Sequence, residues 1–271
     1  ELPSLLGSCD ENDYIFKKLM LEIKNLTEIT SNGLCIGCGL CQSIVGKEKI
    51  HISMTDKGRL EPRETVSLSN EELKKIKGIC PGVLVEGLPK KEISKNSKED
   101  LIWGIYNSLF YAWSSDKDIR FQSSTGGLLN GISLYLLETN KVDFILHTAG
   151  NPEKPMRSIP KFSYSKKDLL NCESRSRYGP ASPLSKFNEA LDKNKNFAFI
   201  GKPCDISAIR LLSKTDKRVD ENCKYLLTLV CGGSTEFTKS QDFIKSYNVK
   251  EEELDIFRYR GYGNPGLMFF R

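Results

Sequence analysis

The stretch NFAFIGKPCDISAIRLL, residues 196–212, decides how the second half of this chain folds. Its first five residues are mostly apolar and predict a buried strand. Residues 201–204 (GKPC) predict a turn, and Asp205 predicts the N-cap of the helix that follows. A second strand-like run, KYLLTLVC, occupies residues 224–231. Strand, turn, helix and strand in this order indicate an α/β fold.

The segments before this stretch have the same α/β character. Two glycines at 126–127 precede a run with helical spacing of apolar residues over 128–139. A strand-like run follows at 142–150, and residues 184–193 again predict a helix. We therefore expect an α/β domain over residues 91–271.

The first 90 residues differ in character and predict a smaller module. Apolar residues at helical spacing predict an amphipathic helix over 13–26. Ser69 and Glu72 have the spacing of a capping box, which predicts a helix over 70–77 that ends at Gly78.

Composition limits the possible classes of function. The 271 residues are 39% hydrophobic and 28% charged, as in an ordinary soluble protein. The net charge of +5 comes without a block of like charge, which argues against nucleic-acid binding. No apolar run is long enough to span a bilayer, and no signal peptide is visible. The polar residues 89–100 predict a linker between the two parts.

Cysteine is the informative residue type in this chain. Nine cysteines without a secretory signal indicate metal binding in a reducing compartment, and we expect a cytoplasmic protein. Cys35, Cys38 and Cys41 form C-x2-C-x2-C, with glycines between them, and Cys80 is followed by proline. Three ligands from one loop and a fourth before proline are typical of a 4Fe-4S cluster. The alternative is a structural zinc site, although zinc more often uses paired C-x2-C knuckles.

Two further cysteines occupy positions where ligands collect in α/β folds. Cys204 follows one predicted strand and Cys231 ends the next, so both fall at the carboxyl edge of the sheet. They could form half of a second metal site. The residues alone favour the plainer interpretation, two buried free cysteines that pack as small apolar side chains.

Two other segments could contact a cofactor. The hydroxyl- and glycine-rich residues 123–127 (SSTGG) precede a helix and could hold a phosphate, or form only a helix N-cap. Residues 174–178 (SRSRY) add two cations and an aromatic ring, or form only a solvated loop. The remaining cysteines and histidines lack partner spacing, and we expect them to be ordinary residues: Cys9, Cys172, Cys223, His51 and His147.

Six short motifs follow one another along nearly the whole chain: CIGCGLC at 35–41, ICPG at 79–82, SSTGG at 123–127, SRY at 176–178, GKPC at 201–204 and RYRG at 258–261. Together they resemble the coenzyme F-420 hydrogenase/dehydrogenase beta-subunit family, in the group that has a ferredoxin-like N-terminal module. The resemblance implies an iron-sulfur flavoprotein with a ferredoxin-like module at 1–90 and a flavin-binding α/β domain at 91–271.

The resemblance also implies roles for particular residues. It implies that Cys204 and Cys231 are ligands of a second cluster, beside the first at Cys35, Cys38, Cys41 and Cys80. It implies that FAD contacts come from Ser123, Ser124, Thr125, Gly126, Gly127, Arg177, Tyr178, Lys202 and Pro203. In the family a downstream C-x2-C pair completes the second cluster, and this chain has none before Arg271. Because it also begins with Glu1, we expect a fragment.

The expected function is oxidoreduction. Electrons would pass from a ferredoxin-like donor through 4Fe-4S clusters to FAD, and then to an organic acceptor such as a deazaflavin or a tetrapyrrole. No catalytic acid or base is identified. The alternative is a non-catalytic electron-relay subunit, and either protein could form a homo-oligomer or part of a larger redox complex. A zinc-stabilised binding module is a third interpretation.

Overall fold

The computed structural model describes residues 23–171, 176–263 and 266–271. Its α-helices are α1 (Leu26–Ser31), α2 (Leu40–Val45), α3 (Asn70–Ile79), α4 (Lys117–Gln122), α5 (Leu128–Glu138), α6 (Lys166–Leu170), α7 (Phe187–Asp192), α8 (Pro203–Ser213), α9 (Arg218–Asn222) and α10 (Phe237–Lys245). Its strands are β1 (Ile50–Met54), β2 (Leu60–Glu64), β3 (Lys98–Asp100), β4 (Gly104–Tyr106), β5 (Phe144–Gly150), β6 (Ser158–Ser163), β7 (Phe197–Gly201), β8 (Cys223–Thr228), β9 (Phe257–Arg258) and β10 (Phe269–Phe270). Short 3-10 helices lie at Lys90–Glu92, Thr125–Gly127, Pro183–Lys186 and Glu251–Glu253.

A four-stranded sheet in the order β6-β5-β7-β8 forms the centre of the α/β part. Strands β5, β7 and β8 are parallel, and β6 is antiparallel to β5. The predicted strands at 142–150, 196–200 and 224–231 correspond to these three parallel strands. The α/β class is thereby confirmed.

Aromatic packing against this sheet builds the main core. The Phe144 and Phe197 rings stack with centroids 5.1 Å apart, and the Phe187 ring packs edge-on against Phe197 at 5.8 Å. Phe187 is the first residue of α7. The sequence predicts one helix over 184–193, whereas the structure has a 3-10 helix at Pro183–Lys186 followed by α7. Helix α5 confirms the prediction over 128–139.

Two predicted boundaries around the 196–212 stretch are wrong. Helix α8 begins at Pro203 with Lys202 as its N-cap, so Asp205 is the third helical residue and not the cap. Proline is favoured at the first helical position because its fixed φ suits the helix and its missing N–H is not needed there. Strand β8 ends at Thr228, so Cys231 lies three residues beyond the strand that it was expected to end.

The N-terminal predictions are confirmed only in part. The capping box of Ser69 and Glu72 is present, but α3 continues through Gly78 to Ile79. Most of the helix predicted over 13–26 lies outside the described residues, as do Cys9, Cys172 and residues 174–175. Residues 23–25 are not helical, and a separate helix begins after them.

The predicted linker over 89–100 contains regular structure. It includes the 3-10 helix Lys90–Glu92 and strand β3, which pairs with β4 in an exposed hairpin. Glu92 pairs with Arg210 of α8 at 2.8 Å, which ties the segment to the α/β part. None of the helices in the described ranges has the length and apolar character that crossing a membrane requires.

Candidate functional site

Four cysteines line one cavity in the N-terminal part of the chain. Cys35, Cys38 and Cys41 reach it from one loop and the start of α2, and Cys80 reaches it from the end of α3. Most of the remaining wall is apolar, with side chains from Leu26, Ile29, Ile52, Ile76 and Ile79. The structure thus brings together the four cysteines that the sequence motifs single out.

Backbone geometry explains the two glycines between these cysteines. Gly37 and Gly39 have φ values of 69° and 83°, in the left-handed region that glycine enters without steric cost. Gly39 is the N-cap of α2, which puts Cys41 in the first turn of that helix. The Gly37 N–H donates to the Cys35 sulfur at 3.4 Å, a backbone-to-sulfur contact of the kind that tunes iron-sulfur sites.

Burial raises the pKa of all four cavity thiols. The pKa of Cys35 rises to about 11 and that of Cys41 to about 12, and those of Cys38 and Cys80 also rise. Charges on neighbouring cysteines add to the effect of burial for Cys35, Cys38 and Cys41. A metal that binds these groups as thiolates would therefore release protons on binding.

The cysteine loop is fixed to the α/β part by hydrogen bonds. The Ser182 hydroxyl donates to the Gly37 carbonyl at 2.7 Å, and the Leu184 N–H donates to the Cys38 carbonyl at 2.9 Å. The Cys38 side chain is buried in the same core cluster as Leu184. One wall of the cavity is therefore built on the core of the sheet.

The other two predicted ligands, Cys204 and Cys231, follow neighbouring strands at one edge of the sheet. Gly201 of β7 is in register with Thr228 of β8, so the chain leading to Cys204 and the chain leading to Cys231 start side by side. Cys204 is half-buried in the first turn of α8, and Cys231 is exposed in the loop beyond β8. Both are free cysteines, and the Gly233 N–H donates to the Cys231 sulfur at 3.4 Å.

Within the described ranges, no group of three or more His, Cys, Asp or Glu side chains has the arrangement of a single-ion site. His147 is buried, with Nε2 2.8 Å from the Ser163 hydroxyl, and burial lowers its pKa to about 4. Burial also raises the pKa of Cys223 to about 12. His147 and Cys223 have the contacts of core residues.

The turn over residues 123–127 has an unusual backbone. Thr125, Gly126 and Gly127 have φ values of 52°, 65° and 69°, so three successive residues are left-handed. The turn leads into α5, whose first N–H groups have no acceptor within the helix. A Cβ on Gly127 would lie 2.9 Å from the carbonyl oxygen of Ile119, so a side chain has no room there. Hydroxyls, glycines and a helix N-terminus are the features of a phosphate-binding turn.

The structure joins this turn to the second predicted cofactor segment. The Ser124 and Ser176 hydroxyl oxygens are 2.5 Å apart. The guanidinium group of Arg177 is engaged by the protein itself. It donates to the carbonyls of Pro155, Arg157 and Phe257 and to the hydroxyl of Ser158. Arg177 therefore braces the backbone, whereas the neighbouring Tyr178 ring is exposed.

Sequence reasoning did not select Arg258 as a site residue, although it lies beside this turn. Its side chain is buried, and Nη2 donates to the Gln122 carbonyl at 2.7 Å, one residue before the turn begins. The Tyr262 ring lies over the guanidinium at 3.9 Å. Among the described residues, its Nε and Nη1 have no hydrogen-bond partner. The RYRG motif at 258–261 includes Arg258, but no local sequence signal indicates that its side chain is buried.

Lys202 and Asp205 form an ion pair at the start of α8. The Lys202 ammonium is 2.9 Å from Asp205 Oδ2, and the Lys202 N–H donates to the same oxygen. Burial alone would lower the pKa of Lys202, but Asp205 and the Cys204 and Cys38 thiols raise it above its ordinary value. Pro203 is the first helical residue, and its ring has no N–H to donate to a cofactor.

Two family models match this chain. The coenzyme F420 hydrogenase/dehydrogenase beta subunit N-terminal model covers residues 109–188, and the corresponding C-terminal model covers residues 194–268. Together they include the 123–127 turn, Arg177, the β7–α8 connection and Arg258.

Several characterised relatives are similar to parts of the chain. The F420-dependent formate dehydrogenase subunit beta of Methanocaldococcus jannaschii is 26% identical over 148 residues, which cover 52% of this chain and 38% of the relative. The coenzyme F420 hydrogenase subunit beta of Methanosarcina barkeri is 24% identical over 182 residues, or 62% of this chain and 61% of the relative. The chain therefore spans less than two thirds of the length of these relatives. A chain of the F420-reducing NiFe hydrogenase complex from M. barkeri matches with a TM-score of 0.48 and 20% identity, over 58% of this chain and 57% of that one.

Proposed function

This chain belongs to the coenzyme F420 hydrogenase/dehydrogenase beta subunit family, and from that premise we propose that it is an iron-sulfur flavoprotein that transfers electrons. The observation that carries the proposal is the shared cavity of Cys35, Cys38, Cys41 and Cys80. Four thiols on one apolar wall are the ligand set of a 4Fe-4S cluster.

The chemistry of this cavity suits a cluster. Its apolar wall keeps water away, and burial makes four thiolates unfavourable unless a cationic core compensates them. The cluster would supply one-electron transfer. The residues of the chain would hold it and adjust its potential through burial and contacts such as the Gly37 N–H to the Cys35 sulfur.

A second cluster at the edge of the sheet is part of the proposal. Cys204 and Cys231 would be two of its ligands, because the segments that lead to them begin at Gly201 and Thr228, which are paired on neighbouring strands. They are only two thiols, so further ligands would have to come from chain or partner residues that lie elsewhere.

The flavin would bind at the turn over residues 123–127. Three successive left-handed residues shape this turn, and the N-terminus of α5 favours phosphate. Arg258 supports this location. Its buried guanidinium has two nitrogens without a hydrogen-bond partner among the described residues, and an anionic ligand would offset the cost of burying that charge. Ser124, joined to Ser176, would line the same site, and the exposed Tyr178 ring lies in the adjoining segment.

In this arrangement the residues before about position 90 hold the entry cluster, and residues 91–271 hold the flavin. A ferredoxin-like donor would supply electrons, and a conjugated organic acceptor, a deazaflavin or a tetrapyrrole, would receive them. Oxygen-sensitive clusters and free cysteines suit a reducing compartment such as a cytoplasm.

Anaerobic quantitation of iron, sulfide and flavin in the full-length protein tests the proposal. We expect about four irons for one cluster or about eight for two, with a matching amount of sulfide. The matched variants are Cys41→Ser, which should lose the first cluster, and Cys223→Ser, which removes a half-buried thiol outside the cavity and should keep it. A colourless protein that contains zinc and no iron would refute the proposal.

The flavin site has its own test. Gly126→Ala would place a Cβ 2.9 Å from the Trp113 Cβ and should lower the flavin content of the purified protein. Gly33→Ala imposes the same left-handed strain, at φ 70°, in open space, so it should leave flavin content unchanged. Equal flavin loss in both variants would show general destabilisation rather than a flavin site.

A second candidate function is electron relay within a larger complex. The named relatives are subunits, which favours this reading. Turnover of a small acceptor by the purified protein with reduced ferredoxin would indicate an enzyme. Reduction of the clusters without turnover would indicate a relay subunit.

A further inference from the structure

A partly buried ion pair lies at the start of α8, the helix that shares the main core with Cys38. The Asp205 side chain is fully buried, and its second oxygen, Oδ1, has no hydrogen-bond partner among the described residues. Its partner Lys202, 2.9 Å away, keeps about a quarter of its side chain exposed. The negative end of the pair is therefore inside the protein and the positive end is at its margin.

Helix geometry places Asp205 on the face of α8 that packs into the main core, to which Cys38 also belongs. Residues three and four positions apart share one face of a helix, so Asp205 lies on the face of α8 that carries Ala208 and Ile209. Both of these residues are fully buried in the core cluster that also contains Cys38. In agreement with this packing, the Asp205 charge contributes to the raised pKa of Cys38, after burial and the charge of Cys41.

We propose that the Lys202–Asp205 ion pair sets the reduction potential of the cluster held by Cys35, Cys38, Cys41 and Cys80. The inference rests on the proposed function, since it requires that cluster. Neither residue is a ligand; both act through the electrostatic potential at the cluster.

The physical basis is the charge that reduction adds. A one-electron reduction makes the cluster more negative by one unit, so a nearby carboxylate opposes reduction and a nearby ammonium favours it. Charges inside a protein are weakly screened, and Asp205 has one oxygen that no hydrogen bond offsets. The two members of the pair should therefore shift the midpoint potential in opposite directions.

The test is a dye-mediated dithionite titration of the anaerobic holoprotein carrying Cys231→Ser, which removes a ligand of the proposed second cluster, followed by the electron paramagnetic resonance signal of the remaining cluster. Asp205→Asn should raise the midpoint potential, and its side chain can still accept from the Lys202 N–H. Adding Lys202→Gln to that variant should lower the potential again. This order of substitution avoids leaving a buried carboxylate without its partner, which would take up a proton and hide the effect.

A third variant keeps the test valid if Asp205→Asn does not fold. Lys202→Glu replaces a positive charge by a negative one at a partly exposed position. The local charge falls by at least one unit whether or not Asp205 takes up a proton, so the potential should fall.

The matched control is Arg210→Gln. Arg210 also lies on α8, and the substitution breaks its exposed ion pair with Glu92. Solvent screens that pair, so the potential should not move. If the cluster signal is intact and the Lys202 and Asp205 variants give the potential of Arg210→Gln, the inference is wrong. A wild-type protein without iron would instead refute the proposed function, and the inference with it.

Discussion

The closest backbone approach at the proposed cluster site gives a sharp prediction for Gly82→Ala. A Cβ on Gly82 would lie 2.0 Å from the carbonyl oxygen of Leu34 and 2.8 Å from its carbonyl carbon. A carbon and an oxygen normally approach to about 3.3 Å, so the two backbones would have to separate by about 1.3 Å. The backbone fixes the position of the Cβ, and the oxygen it meets is itself a backbone atom, so no rotamer change can relieve the contact.

This separation would act directly on the ligands. Leu34 immediately precedes Cys35, and Gly82 follows Cys80 by two residues in a turn closed by the Val83 N–H to the Cys80 carbonyl at 2.9 Å. Overpacking of this kind costs about 1–3 kcal/mol, and displaced support residues lower metal affinity about 10–100-fold. We expect Gly82→Ala to unfold at lower temperature and to hold less iron after anaerobic reconstitution.

Gly87→Ala is the matched control, because a Cβ there meets nothing within 4 Å. Iron and sulfide per chain are measured after reconstitution under identical conditions, and thermal unfolding is followed by circular dichroism. Full iron content and an unchanged melting temperature in Gly82→Ala would refute the argument that the Leu34–Gly82 contact sets the distance between the two ligand segments.

Three further predictions concern stability and exposure. Burial lowers the pKa of His147 from 6.5 to about 4, so between these pH values the unfolded chain binds a proton on this residue and the folded protein does not. The free energy of unfolding is therefore highest above pH 6.5 and falls as the pH drops toward 4. Urea unfolding should lose about 1.4 kcal/mol between about pH 7.5 and about pH 5.5, and His147→Gln should remove that part of the pH dependence. Thr125→Asn should raise the unfolding free energy by about 1 kcal/mol, because asparagine tolerates the left-handed φ of 52° better than a β-branched residue; the reverse change Asn140→Thr, at φ 54°, should lower it by a similar amount. Iodoacetamide followed by mass spectrometry should label the exposed Cys231 of metal-free protein well before the half-buried Cys41, whose pKa burial raises to about 12, and equal rates would contradict this difference in exposure.

The sequence predicts the sheet well, because its signals are local. Short apolar runs between turn residues identify the strands β5, β7 and β8, and capping residues identify α3. Boundaries fail where two local signals compete. Asp205 has the chemistry of an N-cap, but Pro203 starts the helix earlier, and Asp205 then bonds back to the Lys202 N–H.

The candidate site is less predictable, because much of it depends on distant contacts. Spacing identifies the four cavity cysteines, but no local pattern reveals that Cys38 packs into the core of the sheet. The burial of Arg258 likewise depends on Gln122, far away in the chain, and on the Tyr262 ring. Sequence also cannot distinguish Arg177 as a cofactor contact from Arg177 as a side chain that holds two backbone segments, residues 155–158 and Phe257.

The shared core changes how the N-terminal part should be regarded. An independent ferredoxin module would enclose its cysteines within its own core. Cys35, Cys41 and Cys80 do pack against an N-terminal cluster of this kind. Cys38, Leu40 and Ile79, however, belong to the main core together with Phe187 and other residues of the α/β part. Removing the first 90 residues would therefore expose apolar surface of the sheet domain as well as delete the cavity. The boundary near residue 90 is then a division of proposed roles, while one wall of the cavity and the buried face of α8 share the main core. Such packing would keep the distance between an entry cluster and the groups beyond it constant, which an electron path through this protein requires.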